Sequence, residues 1–277
     1  MVRSAVTICL VPEAAAGPFV FHGDCARACE TAARLGFDAV EIFAPDAAAV
    51  KALNLPKLLG DNGLSLAALG TGAGFLQRQL TLTSPSAAVR AEASDFIRAM
   101  LHEAAGFQTK VIVGSMQGRW SPEMLHDYDR ALVMLGTALW ELGDVAESLG
   151  MTMLYEPLNR YETNFFTTLE ITAACLMSEF APSKRILADL FHMSIEERDI
   201  AAALRAVGPT VGHVHFADSN RRAPGFGHTD FAPIAAALRD IGYDGYVSAE
   251  VLPWPDAEAA AAQTMAAFRQ HFPRPVS

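Results

Sequence analysis

Ionisable side chains recur at the ends of apolar runs in the second half of the chain. The runs "MTMLYE", "RILADL", "VGHVHFAD" and "GYVSAEVL" carry, in turn, Glu156, Asp189, the pair His213 and His215, and Glu250. One such carboxylate is usually a helix cap or a surface group, but several that meet at one place repel each other unless a cation lies between them. Three carboxylates and one imidazole form an oxygen-rich donor set that suits a hard divalent ion better than a thiol-rich zinc site does. We therefore expect a site for a divalent ion such as Mn2+, Mg2+ or Co2+.

One of these runs offers two histidines, His213 and His215. Residues two apart on a strand point to the same side, so both side chains are expected to face the same interior. His215 is nearer the C-terminal end of the run and is the expected metal ligand. His213 is expected to be a hydrogen-bonded interior residue one layer deeper. His228, in the loop "APGFGHTDF", remains a weaker candidate for the same region.

Eight short apolar runs alternate with helical patterns along the chain, and these are the elements that must position the ionisable residues. The predicted strands are 5–11, 37–43, 64–70, 109–115, 151–156, 185–190, 211–218 and 245–252. This alternation predicts an α/β protein, a parallel (β/α)8 TIM barrel that forms a single domain over residues 1–277. In such a barrel functional groups lie at the C-terminal ends of the strands, which brings the ionisable residues to one rim. A doubly wound open sheet is the alternative, although no GxGxxG follows the first strand.

The helical patterns between these strands are marked by their C-terminal glycines. The clearest helices are predicted at 25–36, 87–106, 122–150 and 231–242. They end in Gly36, Gly106, Gly150 and Gly242. Glycine is the usual residue at this position because it adopts the left-handed conformation without a Cβ clash.

Composition and charge narrow the partners and the compartment that we expect. The formal net charge is −10, from 21 basic and 31 acidic residues, which opposes a nucleic acid partner. The four cysteines form no CxxC or Cys/His zinc pattern, and we interpret them as reduced thiols. The apolar run at the N-terminus is too short to cross a membrane. We therefore expect a soluble, cytoplasmic protein that binds neither nucleic acid nor membrane.

Four segments of the second half resemble a known superfamily. "YEPLNRYETN", "LADLFHMSIEE", "HVHFADSNRRAPGFGHTDF" and "YVSAEV" are similar to the sugar phosphate isomerase/epimerase superfamily with the xylose-isomerase-like TIM barrel. Within it they resemble the D-tagatose/D-psicose (allulose) 3-epimerases most. The resemblance implies four metal ligands, which are Glu156, Asp189, His215 and Glu250. Their spacings of 33, 26 and 35 residues are also similar to those of the family.

The resemblance also implies a reaction. It predicts an isomerase that epimerises C3 of a free ketose or related keto sugar. Glu156 and Glu250 would each bind the metal and each exchange a proton with the substrate, on opposite faces of a cis-enediolate. The resemblance assigns substrate contacts to Glu162, His192 and Arg221. It implies a small-molecule sugar as the partner and a homo-oligomer, either a dimer or a tetramer.

Other functions remain open from the sequence. An aldose–ketose isomerase of the hydroxypyruvate or inosose type, or an inosose dehydratase, would begin with the same proton abstraction. An abasic-site endonuclease shares the superfamily fold, but it needs a three-zinc cluster and a basic DNA face. A non-catalytic sugar-binding module would not require both Glu156 and Glu250. The roles of Glu41, Trp120 and Trp254 are left open between substrate binding and structure.

Overall fold

A closed barrel of eight parallel strands forms the centre of the protein in this computed structural model, which describes residues 1–122, 127–176 and 183–273. The strands are β1 (Arg3–Cys9), β2 (Phe21–His22), β3 (Ala39–Phe43), β4 (Ser65–Gly70), β5 (Lys110–Val113), β6 (Thr152–Tyr155), β7 (Lys184–Asp189), β8 (Val211–His215) and β9 (Tyr246–Ala249). The two-residue β2 pairs only with β1, and a pairing of β1 with β9 closes the ring formed by the other eight. The predicted (β/α)8 barrel is therefore confirmed, and the open sheet is excluded.

Two of the ionisable residues lie just beyond the ends of their strands. Glu156 follows β6, and its amide still donates a hydrogen bond to the Val113 carbonyl at 3.0 Å, so the neighbouring strand holds its backbone. Glu250 follows β9, and its amide donates to the Ser248 carbonyl at 3.1 Å. The neighbouring strand thus holds the backbone of Glu156, and a local turn at the end of β9 holds that of Glu250.

Helices cover the outside of the barrel. They are α1 (Cys25–Leu35), α2 (Ala47–Ala52), α3 (Leu55–Asn62), α4 (Ala73–Arg78), α5 (Ala87–Ala105), α6 (Tyr128–Ser148), α7 (Leu169–Leu176), α8 (Leu190–Glu196), α9 (Ile200–Val207), α10 (Phe231–Asp240) and α11 (Ala257–His271). The helix predicted over 122–150 begins at Tyr128, where Asp127 caps the amides of Asp129 and Arg130, and residues 123–126 lie outside the described part. None of the helices in the described ranges combines the length and apolarity needed to cross a membrane.

The four helix-ending glycines do not all behave as predicted. Gly36, Gly150 and Gly242 adopt left-handed conformations, with φ of 91°, 66° and 69°. Gly106 follows the last residue of α5 but has φ of −62°, so the prediction of a left-handed conformation there is wrong. The left-handed residue of that turn is Gln108, with φ of 50°, whereas Gly106 itself is still right-handed.

Alternation along the strands separates an outer apolar core from a mixed barrel interior. On β1, the side chains of Val6 and Ile8 pack into the large cluster shared with the helices. The intervening Thr7 is fully buried as well, and its hydroxyl donates to Glu41 of β3. The interior thus accepts polar groups that bind each other, and it supports the carboxyl-end rim where the ionisable residues meet.

Candidate metal centre and active site

Four side chains from four consecutive barrel strands converge at the C-terminal rim. They are Glu156 after β6, Asp189 at the end of β7, His215 at the end of β8 and Glu250 after β9. One ligand atom from each lies within 4.8 Å of the others, which makes the group a candidate metal-binding cluster. The structure therefore brings together all four residues that the sequence singled out for this role.

The Nδ1 atom of His215 lies at the centre of this cluster. It is 3.2 Å from Asp189 Oδ2, 3.5 Å from Glu156 Oε1 and 3.6 Å from Glu250 Oε2. Three carboxylates that surround one nitrogen provide the oxygen-rich environment that Mn2+ and Mg2+ favour. The donor set therefore fits a hard divalent cation, with Nδ1 as the only nitrogen ligand among the four residues.

The electrostatics of the cluster also fit a divalent cation. Burial raises the pKa of Glu250 to about 7, and the nearby carboxylates of Glu156 and Asp189 add to that shift while His215 and Arg221 oppose it. Burial alone would lower the pKa of His215, but the charges of Glu41 and Glu250 hold it well above its usual value. The surrounding carboxylates thus favour positive charge at the imidazole. A divalent cation supplies that positive charge and neutralises the carboxylates at the same time.

Asp189 has two separate tasks, because its two oxygens face different partners. Oδ1 caps helix α8 by accepting the amides of Phe191 at 2.7 Å and His192 at 3.3 Å. Oδ2 faces the cluster and lies 3.2 Å from His215 Nδ1. The cap fixes the carboxylate plane, and this orientation directs the second oxygen into the candidate metal site.

His192 lies in the first turn of α8 and turns one nitrogen toward the cluster. The backbone amide of Asn159 donates to its Nδ1 at 3.2 Å, so that nitrogen is an acceptor and Nε2 carries the proton. Nε2 is fully buried, has no hydrogen-bond partner among the described residues and lies 3.9 Å from Glu156 Oε1. A buried donor left unpaired beside the cluster is suited to binding an oxygen of a ligand.

Arg221 and Glu162 complete the polar end of the site. The Arg221 guanidinium lies 2.6 Å from Glu250 Oε2 and 3.5 Å from Glu162 Oε1, and it stacks over the Phe191 ring with 4.8 Å to the centroid. The Glu162 carboxylate also accepts from Asn159 Nδ2 at 3.2 Å. Both side chains predicted as substrate contacts therefore lie beside the cluster, with Glu162 at its more exposed edge.

A cavity of about 370 Å³ opens above the cluster. Its inner end is polar and its outer wall is apolar, with side chains of Phe19, Phe43, Phe75, Leu76 and Leu158. The rings of Phe19 and Phe43 stack with centroids 5.0 Å apart. Phe75 and Leu76 come from α4, in the segment that follows β4.

Three of the residues whose roles the sequence left open lie away from this cavity. The backbone amide and carbonyl of Trp120 both form hydrogen bonds with the side-chain amide of Asn164. Trp254 is 45% exposed and lies under Arg222, and His228 is exposed in its loop. None of them is among the described residues that line the cavity. Glu41, in contrast, lines its floor.

Two supporting residues were not found from the sequence. Asn159 joins His192 to Glu162, and its only sequence signal is its place between Glu156 and Glu162. Asp218 accepts the amides of Ser219, Gly225, Gly227 and Thr229 and so organises the loop that carries Arg221. Its sequence signal is a carboxylate directly before the turn residues "SN" at the end of a strand run.

Comparison with known proteins places this geometry in a family. The sequence profile of the xylose isomerase-like TIM barrel matches residues 29–271. The chain belongs to this family. D-psicose 3-epimerase of Agrobacterium fabrum is 32% identical over 226 residues, which cover 80% of this chain and 77% of that protein. The 3-dehydro-D-guloside 4-epimerase of Escherichia coli is 38% identical over 127 residues, which cover 46% of this chain and 47% of that protein.

Solved structures agree with this family assignment at the level of the fold. D-allulose 3-epimerase from Methylomonas sp. in complex with D-allulose superimposes with a TM-score of 0.80 and 24% identity, over 98% of this chain and 97% of that one. The expected resemblance to the xylose isomerase-like barrel and to D-psicose 3-epimerases is confirmed. The relatives named above are epimerases, and the prediction of an isomerase-class enzyme is confirmed.

Proposed function

We propose that this protein is a divalent-metal-dependent epimerase that inverts C3 of a free ketose or related keto sugar. The observation that carries the proposal is the placement of Glu156 and Glu250. They follow β6 and β9, which lie three positions apart in an eight-stranded ring, and their oxygens lie 3.5 and 3.6 Å from the same atom, His215 Nδ1. Two carboxylates that separate strands carry to one point suit a reaction in which one removes a proton from one face and the other returns a proton to the opposite face.

The metal ligands in this proposal are Glu156, Asp189, His215 and Glu250. When bound there, a divalent cation, for which we propose Mn2+, supplies a Lewis acid that polarises the C2 carbonyl and O3 of the sugar and acidifies the C3 proton. One of the two carboxylates, Glu156 or Glu250, removes the C3 proton and leaves a cis-enediolate, and the other, which carries a proton, returns that proton to the opposite face of C3. Which of the two acts first depends on which epimer is bound.

Three further residues bind and orient the sugar in this proposal. His192 donates its Nε2–H to an oxygen near C1–C2, because that group is buried and has no partner in the part of the chain that the structure describes. Arg221 stabilises negative charge as it develops, and Glu162 accepts hydrogen bonds from hydroxyl groups at the open edge. The names of the relatives support the substrate class, since they include D-psicose, L-ribulose and 3-dehydro-D-guloside epimerases.

We further propose that residues 1–277 form one domain, and that the protein acts in the cytoplasm as a dimer or tetramer. These parts of the proposal are supported by the acidic composition and the resemblance to the family. Size-exclusion chromatography with light scattering measures the oligomeric state directly. A monomer at micromolar concentration would contradict the proposed dimer or tetramer.

Solvent exchange in D2O tests the proposed reaction. Metal-stripped protein is refilled with Mn2+ and incubated with a panel of ketoses, and deuterium is located by NMR. We expect deuterium at C3 together with the inverted product, and no exchange in the metal-stripped control. Deuterium at C1 or C2 with an aldose product would support an isomerase instead, and loss of water would support a dehydratase.

A further inference from the structure

Glu41 is a buried carboxylate that lies beneath the candidate metal cluster. Glu41 lies on β3 and is only 2% exposed, and its side chain reaches the two histidines of β8. Glu41 Oε2 lies 2.8 Å from Nε2 of His213, and Oε1 accepts the Thr7 hydroxyl at 3.0 Å. Two partners on different strands therefore fix both oxygens of this carboxylate.

His215 turns its Nε2 nitrogen toward the carboxylate of Glu41 as well. Nε2 of His215 lies 3.2 Å from Glu41 Oε1. It is fully buried and makes no aligned hydrogen bond with another group of the described residues. The opposite nitrogen, Nδ1, faces the three carboxylates of the cluster. The ring of His215 thus lies between acceptors on both sides.

This placement matters because a neutral imidazole has only one N–H. The nitrogen that keeps the proton is decided by the partner of each nitrogen. Three carboxylates around Nδ1 favour a proton there, which would leave no lone pair for a metal. A carboxylate at Nε2 competes for the proton and favours the tautomer in which Nδ1 is bare.

We propose that Glu41 is a positioning residue for the metal site, which keeps the proton of His215 on Nε2 and so presents the Nδ1 lone pair to the cation. The inference rests on the proposed function only through its four metal ligands. Glu41 itself touches neither the cation nor the sugar in this role. Thr7 and His213 hold Glu41 in place, and the charge of the carboxylate makes it a stronger acceptor than an amide oxygen.

Substitution of Glu41 by glutamine tests the proposal, because Glu41→Gln keeps the size of the side chain and removes its charge. Mn2+ affinity is measured on the metal-stripped full chain by competition with a chelator. We expect one Mn2+ per chain and an affinity that is weaker on the order of 10- to 100-fold. At saturating Mn2+, we expect kcat to recover most of its original value, which general damage to the fold would not allow.

Two further variants keep the test decisive. Asp38→Asn changes a carboxylate near the N-terminal end of β3, where it bonds Ser4, and is expected to leave Mn2+ affinity unchanged. Thr7→Val removes one support of Glu41 and keeps its charge, so we expect a smaller loss of affinity. If Glu41→Gln does not fold, the Mn2+ affinity of Thr7→Val still tests the proposal.

Three results would overturn the proposal, and each points to a different error. Equal Mn2+ affinity in Glu41→Gln and the unaltered protein would show that Glu41 does not position His215. Two Mn2+ per chain that fall to one in the variant would show that Glu41 is a ligand, since Glu41, His213 and His215 are close enough to hold a cation of their own. Absence of divalent-ion binding by the unaltered protein would overturn the proposed metal site itself.

Discussion

The Arg221 guanidinium lies 2.6 Å from the carboxylate of Glu250, and Arg221 holds this position from a left-handed backbone with φ of 59°. Such a conformation costs about 1–3 kcal/mol for a residue other than glycine, and it persists only where neighbours enforce it. The Leu252 amide donates to the Arg221 carbonyl at 2.7 Å, and the Arg221 amide donates to the Asp218 carbonyl at 2.8 Å. Backbone bonds on both sides therefore fix the charge beside the proposed base.

Replacement of Arg221 tests its role beside Glu250. We expect Arg221→Gln to lower kcat/KM by roughly 10- to 150-fold, because a hydrogen bond to a charged group contributes about 1.5–3 kcal/mol. Arg222→Gln is the matched control, since Arg222 stacks on Trp254 instead. Steady-state kinetics with the best ketose measures both. An equal loss in the two variants would show that only the charge of the loop matters.

Separate substitution of the two proposed bases distinguishes their faces. We expect Glu156→Gln and Glu250→Gln each to lower epimerisation on the order of 10²- to 10⁴-fold, the usual contribution of a positioned acid or base. Each variant keeps the base on the opposite face. We therefore expect each to wash deuterium into C3 of only one epimer without inversion, and the two variants to select opposite epimers. Exchange of the same epimer in both variants would contradict the two-base arrangement.

Metal binding is expected to stabilise the fold through Asp189. A ligand that binds only the folded state stabilises it by about 2.7 kcal/mol at 100 times its Kd. We expect Asp189→Asn to lose most of this gain on addition of Mn2+, while the cap of α8 remains, because asparagine is also a good N-cap. Asp199→Asn, at the cap of α9, is the control and should keep the full gain. Thermal unfolding with and without Mn2+ gives both values.

Asp218 is expected to stabilise the loop of Arg221 in a pH-dependent way. Burial raises its pKa, but backbone hydrogen bonds from Thr229, Ser219, Gly227 and Gly225 lower it below the usual value. A carboxylate whose pKa is depressed in the folded state stabilises the protein above its unfolded pKa, about 4, and loses that effect as the pH falls through the folded pKa.

The corresponding variant is Asp218→Asn. We expect it to lower the free energy of unfolding by about 1–3 kcal/mol at pH 7, with a smaller difference from the unaltered protein under acid conditions. We also expect KM to rise, since Arg221 loses its fixed loop. Asp230→Asn, which affects the cap of α10, controls for a general effect. Urea unfolding between pH 3 and pH 7 tests this, and a difference that does not depend on pH would contradict it.

Lys110 is expected to weaken the fold at neutral pH. Burial and the charge of Arg3 lower its pKa to about 8, although its Nζ donates to the Gly212 carbonyl at 2.7 Å. Between pH 8 and about 10.4, Lys110 is protonated in the unfolded chain but has lost its proton in the folded protein. Raising the pH in this range therefore favours the folded state. Between pH 7.5 and pH 10, we expect the free energy of unfolding of the unaltered protein to rise by about 1–3 kcal/mol relative to that of Lys110→Met. Lys51→Met, at an exposed lysine, should show no such trend.

The sequence by itself determined the barrel and the membership of its rim. Alternation of apolar runs and helices leaves few architectures, and a parallel barrel carries the C-terminal ends of its strands to one side. Glu156, Asp189, His215 and Glu250 could therefore be grouped without coordinates, and the structure places them within 4.8 Å. The conformation of Gly106 could not be predicted, because the loop beyond a helix, rather than the glycine itself, decides where the chain reverses.

Only the tertiary structure decided how these residues are oriented. Sequence position indicated that His213 lies deeper than His215, but it did not show that both meet Glu41, 172 positions from His213, across the barrel interior. The fold likewise decided that Nδ1 of His215 faces the carboxylates. Orientation depends on distances between side chains that are remote in the chain, and no local pattern encodes these, because only the closed ring of strands brings the side chains together.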